Sequence, residues 1–198
     1  MQALRPIDRI RLDGGRPCLD FVNTIHDWDA SVPEDYIVTR ERYIAWCIRV
    51  GLLTAAESRR IAHLSDGNAS MREVRKFRES LYAVFCARID GRRAPKEALQ
   101  HLNKWLHRAW EGTDLDVDGG LNWRPGAVDG ELPLKRLALS ALEVLQDETP
   151  ERLKRCATKS GCGWLFYDET KNNRRQWCSM ETCGTVAKMK RYRARAAV

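Results

Sequence analysis

Four cysteines crowd one short stretch near the end of the chain: Cys156 and Cys162, then Cys178 and Cys183. Five residues lie inside the first pair, four inside the second, and fifteen between the pairs. Zinc(II) takes four thiolates as a tetrahedron at about 2.3 Å. Each close pair can supply two ligands from one tight turn, and the spacer is long enough for a hairpin. Two other outcomes are open, disulfides and four unrelated core cysteines. Disulfides are disfavoured because Met1 to Ile10 is charged and has no apolar signal core. Four thiols in under thirty residues argue against chance. The expectation is one structural Zn2+ per chain, in a cytoplasmic protein with reduced thiols. A tetrahedron of four thiolates is closed and cannot activate a water, which weighs against a zinc hydrolase. No Gly-rich phosphate loop and no nucleophile–base pair stands out, so the expected protein is not an enzyme.

The charge is as localised as the cysteines. The formal net charge is +7. Residues 151–198 hold 12 Lys plus Arg against 4 Asp plus Glu, while residues 1–150 hold 22 against 23. A basic module on a near-neutral body points to a polyanionic partner or to a solvated tail. No run of eighteen apolar residues exists, so no membrane span is expected.

The body reads as mostly helical. After the Gly14-Gly15 and Pro17 turn, Cys18, Leu19, Phe21, Val22 and Ile25 recur at helix-like spacing, with a short strand as the alternative. His26, Asp27 and Asp29 are expected to cap and solvate the end of that element. Residues 31–37 read as a loop. Thr39 caps a helix through Trp46 to Gly51, and Thr54 with Glu57 has capping-box spacing for a second helix to about Leu64. This pair resembles a helix-turn-helix, although two short packed helices are the commoner outcome. Ser65 to Asn68 is a loop. A long helix from Ser70 to about Asp90 carries Val74, Phe77, Leu81, Val84, Phe85 and Ile89, with Arg72, Arg75, Lys76 and Arg78 on its polar face. The next helix starts at Pro95, with His101 and His107 expected at the surface or its boundary. A hairpin around Gly119-Gly120 and a helix over Leu132 to Leu145 complete the body.

In the cysteine stretch, Trp164 to Tyr167 reads as a strand, Arg174 to Trp177 as its return strand, and Cys183 as first-turn residue of a C-terminal helix. That order of knuckle, hairpin and helix is treble-clef-like. Lys188, Arg191 and Arg195 share one helix face, with Arg174 and Arg175 on the hairpin, an array that suits phosphate oxygens. The expected fold class is mainly α with a small β component (α+β): a helical body over 1–150 and a zinc module over 151–198.

The segments Arg155-Cys-Ala, Cys162-Gly-Trp-Leu-Phe, Arg174-Arg-Gln-Trp-Cys178-Ser-Met-Glu-Thr-Cys183-Gly and Leu19-Asp-Phe-Val-Asn-Thr24 resemble the bacterial CGNR zinc-finger proteins with an ABATE-type N-terminal domain. The resemblance implies zinc ligands at Cys156, Cys162, Cys178 and Cys183, stress-linked transcription regulation and DNA binding. One departure stands out: the Cys-Gly-Asn-Arg of the family name is here Cys183-Gly184-Thr185-Val186. The expected function is a DNA-binding regulator whose body senses a small-molecule effector or forms a homodimer. The alternative is a zinc-stabilised module that binds a ligand or protein and not DNA.

Overall fold

The computed structural model describes residues 5–62, 69–158 and 161–196. Its centre is the short helix α1, Pro17–Val22, which packs against α4 (Met71–Ile89), α6 (Leu132–Gln146) and strand β6 (Leu165–Tyr167). Pro17 suits a first helical position because its missing N–H has no partner there in any case. Cys18, Leu19, Phe21 and Val22 are all fully buried. Phe21 meets Tyr43, Trp46 and Phe77 at ring-centroid distances of 6.3, 5.7 and 6.4 Å.

The Leu19–Thr24 segment divides between core filling and polar anchoring. Leu19, Phe21 and Val22 fill the core. Asp20 Oδ1 accepts the Gly14 N–H at 2.8 Å and shapes the turn before α1. Asn23, fully buried, donates from Nδ2 to Leu165 O at 2.8 Å and accepts Leu165 N–H on Oδ1 at 2.9 Å. It serves β6 as a neighbouring strand would. Thr24 Oγ1 donates to Phe21 O at 2.6 Å and accepts from Arg78 Nη1 at 2.7 Å.

Asp20 also makes stability depend on pH. Burial pushes its carboxyl up to about 7, against the lowering effect of the Gly14 N–H. The folded chain holds this proton more tightly than the unfolded chain, so stability falls as pH rises from about 4 to about 7. Asp20→Asn keeps the acceptor and removes the charge. It is expected to stabilise the fold by up to about 4 kcal/mol at pH 8 and to change little at pH 4. Thermal melts at the two pH values check this.

The helical layer follows its local signals. Thr39 caps α2, Arg40–Arg49, and Gly51 follows it with φ 75°. The predicted capping box opens α3, Ala55–Ala62: Thr54 N–H donates to Glu57 Oε2 at 2.8 Å, and Glu57 N–H to Thr54 Oγ1 at 3.1 Å. Glu57 is also gripped by Arg136 of α6 at 2.7 and 2.9 Å, so the start of α3 faces the body. The residues expected to carry that helix to Leu64, and the loop at Ser65 to Asn68, lie outside the described residues. Ser70 caps α4. α5, Lys96–Glu111, packs between α4 and α6. β3, Thr113–Leu115, and β4, Leu121–Trp123, form the expected hairpin, with Leu115 opposite Leu121.

Three expectations are corrected here. Residues 31–37 hold a short strand, β2 (Glu34–Asp35), paired antiparallel with β1 (Ile25–His26). Arg78 is not on a solvated face. It lies 2 % exposed within the Val74–Leu81 apolar stripe, where Asp35 meets it at 2.6 and 2.9 Å. His101 is buried between α4 and α5, its Nδ1 3.0 Å from Ser80 Oγ and its Nε2 2.9 Å from Glu73 Oε1. Glu73 is held down to about 2: burial opposes this, but Lys104 and His101 outweigh it. His107 is exposed, as expected.

Candidate metal centre

β5, Leu153–Arg155, pairs antiparallel with β6, placing Arg155 opposite Leu165. The partner of β6 is thus β5, and Arg174 to Trp177 forms no return strand. Cys156 and Cys162 stand at the tip of the β5–β6 hairpin, where Cys156 N–H donates to Trp164 O at 2.8 Å. Gly161 and Gly163 flank Cys162 with φ of 78° and 64°, a left-handed backbone that glycine adopts without a Cβ clash.

A buried carboxylate brings the second pair to the first. Asp168 is fully buried and accepts from Lys154 Nζ at 2.7 Å, Thr170 Oγ1 at 2.6 Å, Thr170 N–H at 3.0 Å and Arg175 N–H at 2.8 Å. Burial pushes its carboxyl up. Lys154 and these hydrogen bonds prevail and hold it below the usual range. Lys154 Nζ also donates to Asn173 O at 2.8 Å and Arg175 O at 3.3 Å. Residues 168–175 therefore wind around one ion pair. The chain then passes β5, with Ala157 N–H on Gln176 O at 2.9 Å, and delivers Cys178. The Cys178 N–H points at Cys156 Sγ from 3.5 Å. Arg175 does not reach outward as a free cation. Its Nε donates to Trp177 O at 2.9 Å, its Nη2 to Cys178 O, and its guanidinium lies 4.6 Å from the Phe166 ring centre. One wide π-type turn, Met180–Gly184, carries Cys183 and runs into α7, Thr185–Ala196. Cys183 thus sits just before the regular helix.

The four Sγ atoms lie within 4.8 Å of one another, and all four residues are buried. Cys178 Sγ is 3.6 Å from both Cys162 Sγ and Cys183 Sγ. A disulfide requires about 2.05 Å, so these are separate thiols. A tetrahedron with metal–sulfur bonds of about 2.3 Å has edges of about 3.8 Å, which the observed spacing fits. Without a cation the thiols conflict. Hydrogen bonds from Cys162 and Cys178 push Cys156 down, and the same contacts with Cys156 push Cys162 and Cys178 up. A dication removes that conflict by making all four thiolates favourable at once.

The zinc module is sewn to the start of the chain. Besides Asn23, Trp164 Nε1 donates to Ile25 O at 3.0 Å, Asp27 N–H to Cys162 O at 3.1 Å, and Tyr167 N–H to Gly14 O at 2.8 Å. Trp164, Leu165 and Phe166 are at most 1 % exposed.

The family profile of ABATE, described as "putative stress-induced transcription regulator", matches residues 15–148, and that of the CGNR zinc finger matches residues 152–196. The chain belongs to the ABATE family. A comparison with curated proteins finds no match. The cysteine cluster of its CGNR finger holds one structural zinc ion. Where the family name has Asn and Arg, this CGNR finger has Thr185, whose Oγ1 donates to Met180 O at 3.1 Å, and Val186, which is 47 % exposed.

Of the residues expected to meet DNA, Arg174, Lys188, Arg191 and Arg195 are exposed, and Arg175 is half-buried in the contacts above. Arg191 lies 5.9 Å from the centre of the Trp177 ring. Residue spacing did not reveal Asp168 or Asn23 as parts of the centre. Asn23 carried a signal only as part of the segment shared with the family.

Proposed function

We propose that this ABATE protein is a DNA-binding transcription regulator in which zinc fixes the origin of α7, and α7 makes the main contact. The observation that carries this reading is the exposure of the helix: every residue from Lys188 to Arg195 is exposed, with Lys188, Arg191 and Arg195 on one side. Arg174 adds a fourth outward cation. With four thiolates around one dication, the 151–198 region keeps a net charge of about +6. The helical body would then act as sensor or dimerisation unit. The site is a binding device and not a catalytic one, because four sulfur ligands leave the ion no open position.

Four phosphate contacts imply a slope of log affinity on log salt of roughly −3 to −4. Arg191→Ala is expected to make the slope shallower by about one unit and to weaken all sequences alike. Mobility-shift titrations on mixed genomic fragments at several salt concentrations measure both. An interaction insensitive to salt, or none at low salt, would sink this reading. It would favour the alternative of a protein partner, for which the exposed Met180, Val186, Met189 and Tyr192 (61, 47, 46 and 69 %) are the supporting observation.

A further inference from the structure

Four thiolates around a dication leave the centre with a charge of −2, held among buried sulfurs. Buried charge is costly unless neighbouring groups offset it. Two guanidiniums approach the second cysteine pair. One is Arg175, which comes from the finger itself. The other is Arg11, which precedes both matched segments, 15–148 and 152–196.

We propose that Arg11 is a positioning residue of the zinc centre, holding the Cys178–Cys183 turn and offsetting the charge of its thiolates. Its Nη1 donates to Thr182 Oγ1, the hydroxyl beside Cys183. Its guanidinium lies 4.8 Å from the centre of the Trp164 ring, the tryptophan that follows the first cysteine pair. Asp13 Oδ2 stands 3.1 Å from the same Nη1 as an ion pair. Among the groups acting on Arg11, burial opposes its charge, while Asp13, Cys178 and Cys183 favour it. Burial pushes the Asp13 carboxyl up, Arg11 and Arg175 oppose this, and Glu181 and Cys156 add to it. Arg11 and Arg175 are the cations among these groups, and Asp13 and Glu181 the acids.

The segment that carries Arg11 is anchored at its other end to the helical body. Arg42 Nη2 donates to Arg5 O at 2.5 Å, Arg49 Nη1 donates to Ile7 O at 2.5 Å, and Ile10 is buried in the core. Residues 5–13 thus strap α2 to the turn that leads into α7. Arg11 is the point at which the strap grips the metal centre.

The test is zinc affinity of the full chain, by competition with a chromogenic chelator and without DNA, so it stands apart from the DNA reading. Outer-sphere partners of metal ligands commonly contribute 10–100-fold in affinity. Arg11→Gln is expected to weaken zinc by about that factor, and Arg11→Lys, which keeps the charge, to stay within about threefold of wild type. Arg16→Gln is the control. Arg16 stacks 4.5 Å from the Tyr167 ring centre and pairs with Glu169, so it should leave zinc affinity unchanged. If Arg11→Gln purifies without metal, cobalt titration followed by thiolate charge-transfer absorbance gives the same ranking. Wild-type affinity in Arg11→Gln, or equal losses in Arg11→Gln and Arg11→Lys, would overturn the proposal.

Discussion

Cys162→Ser and Cys183→Ser are each expected to lose the zinc ion and the tertiary structure of the finger. Apparent binding free energies of structural zinc in zinc-finger peptides are about 10–16 kcal/mol near pH 7, comparable with the whole net stability of about 5–15 kcal/mol typical of a folded protein. The remaining three sulfurs cannot close the tetrahedron, and without the dication their mutual hydrogen bonds permit only part of them to ionise. The damage should reach the body, because Trp164, Leu165 and Phe166 are in one core with Leu19, Phe21 and Val22. The helices α4, α5 and α6 make most of their contacts with one another and with α1, so far-UV helical signal should largely persist. The readouts are metal content per chain, near-UV circular dichroism and a red shift of tryptophan emission. Cys47→Ala is the control, since Cys47 is buried on α2, is not one of the four clustered cysteines and serves as a small apolar residue. One zinc per chain in both serine variants would disprove the four-thiolate site. Acidification should mimic the substitutions, since protons compete for the same sulfurs.

Asp35→Ala is expected to cost about 3–5 kcal/mol, the usual result of leaving a buried charge without its partner. Arg78 has a side chain only 3 % exposed, and Asp35 supplies both of its carboxylate contacts. Thr24 Oγ1 would remain as a neutral acceptor, which cannot offset a guanidinium. Arg75 Nε, 3.9 Å from Asp35 on its exposed side, adds little. Asp35 also accepts the Ile37 N–H at 2.9 Å, so the β1–β2 pair should loosen with it. A loss of this size is a large share of the 5–15 kcal/mol typical of folded proteins and should lower Tm by roughly ten degrees. The double variant Asp35→Leu with Arg78→Met should recover most of the loss, because a well-packed apolar pair often matches a buried ion pair. A denaturant-melt cycle over wild type, Asp35→Leu, Arg78→Met and the double variant gives the coupling. A cost below about 1 kcal/mol for Asp35→Ala would mean that Arg78 finds other partners.

What the sequence determined by itself was local. The caps at Thr39, Thr54 and Ser70, the apolar stripe of α4 and the hairpin around Gly119-Gly120 depend on residues three or four positions apart or on a single turn, and each appears where spacing placed it. The four cysteines belong to this class too, because thiols in two close pairs leave few ways to satisfy a metal. Tertiary structure decided the polar pairings between distant parts. Asn23 meets Leu165 across 142 positions, Arg78 meets Asp35 across 43, and Arg11 meets Thr182 across 171. It also chose β5 over Arg174 to Trp177 as the partner of β6, because Lys154 and Asp168 hold the 168–175 segment in a turn. Periodicity marks which side of an element is buried. It does not name the partner, since a polar residue within an apolar stripe is compatible with any complementary group that the packed chain brings to it.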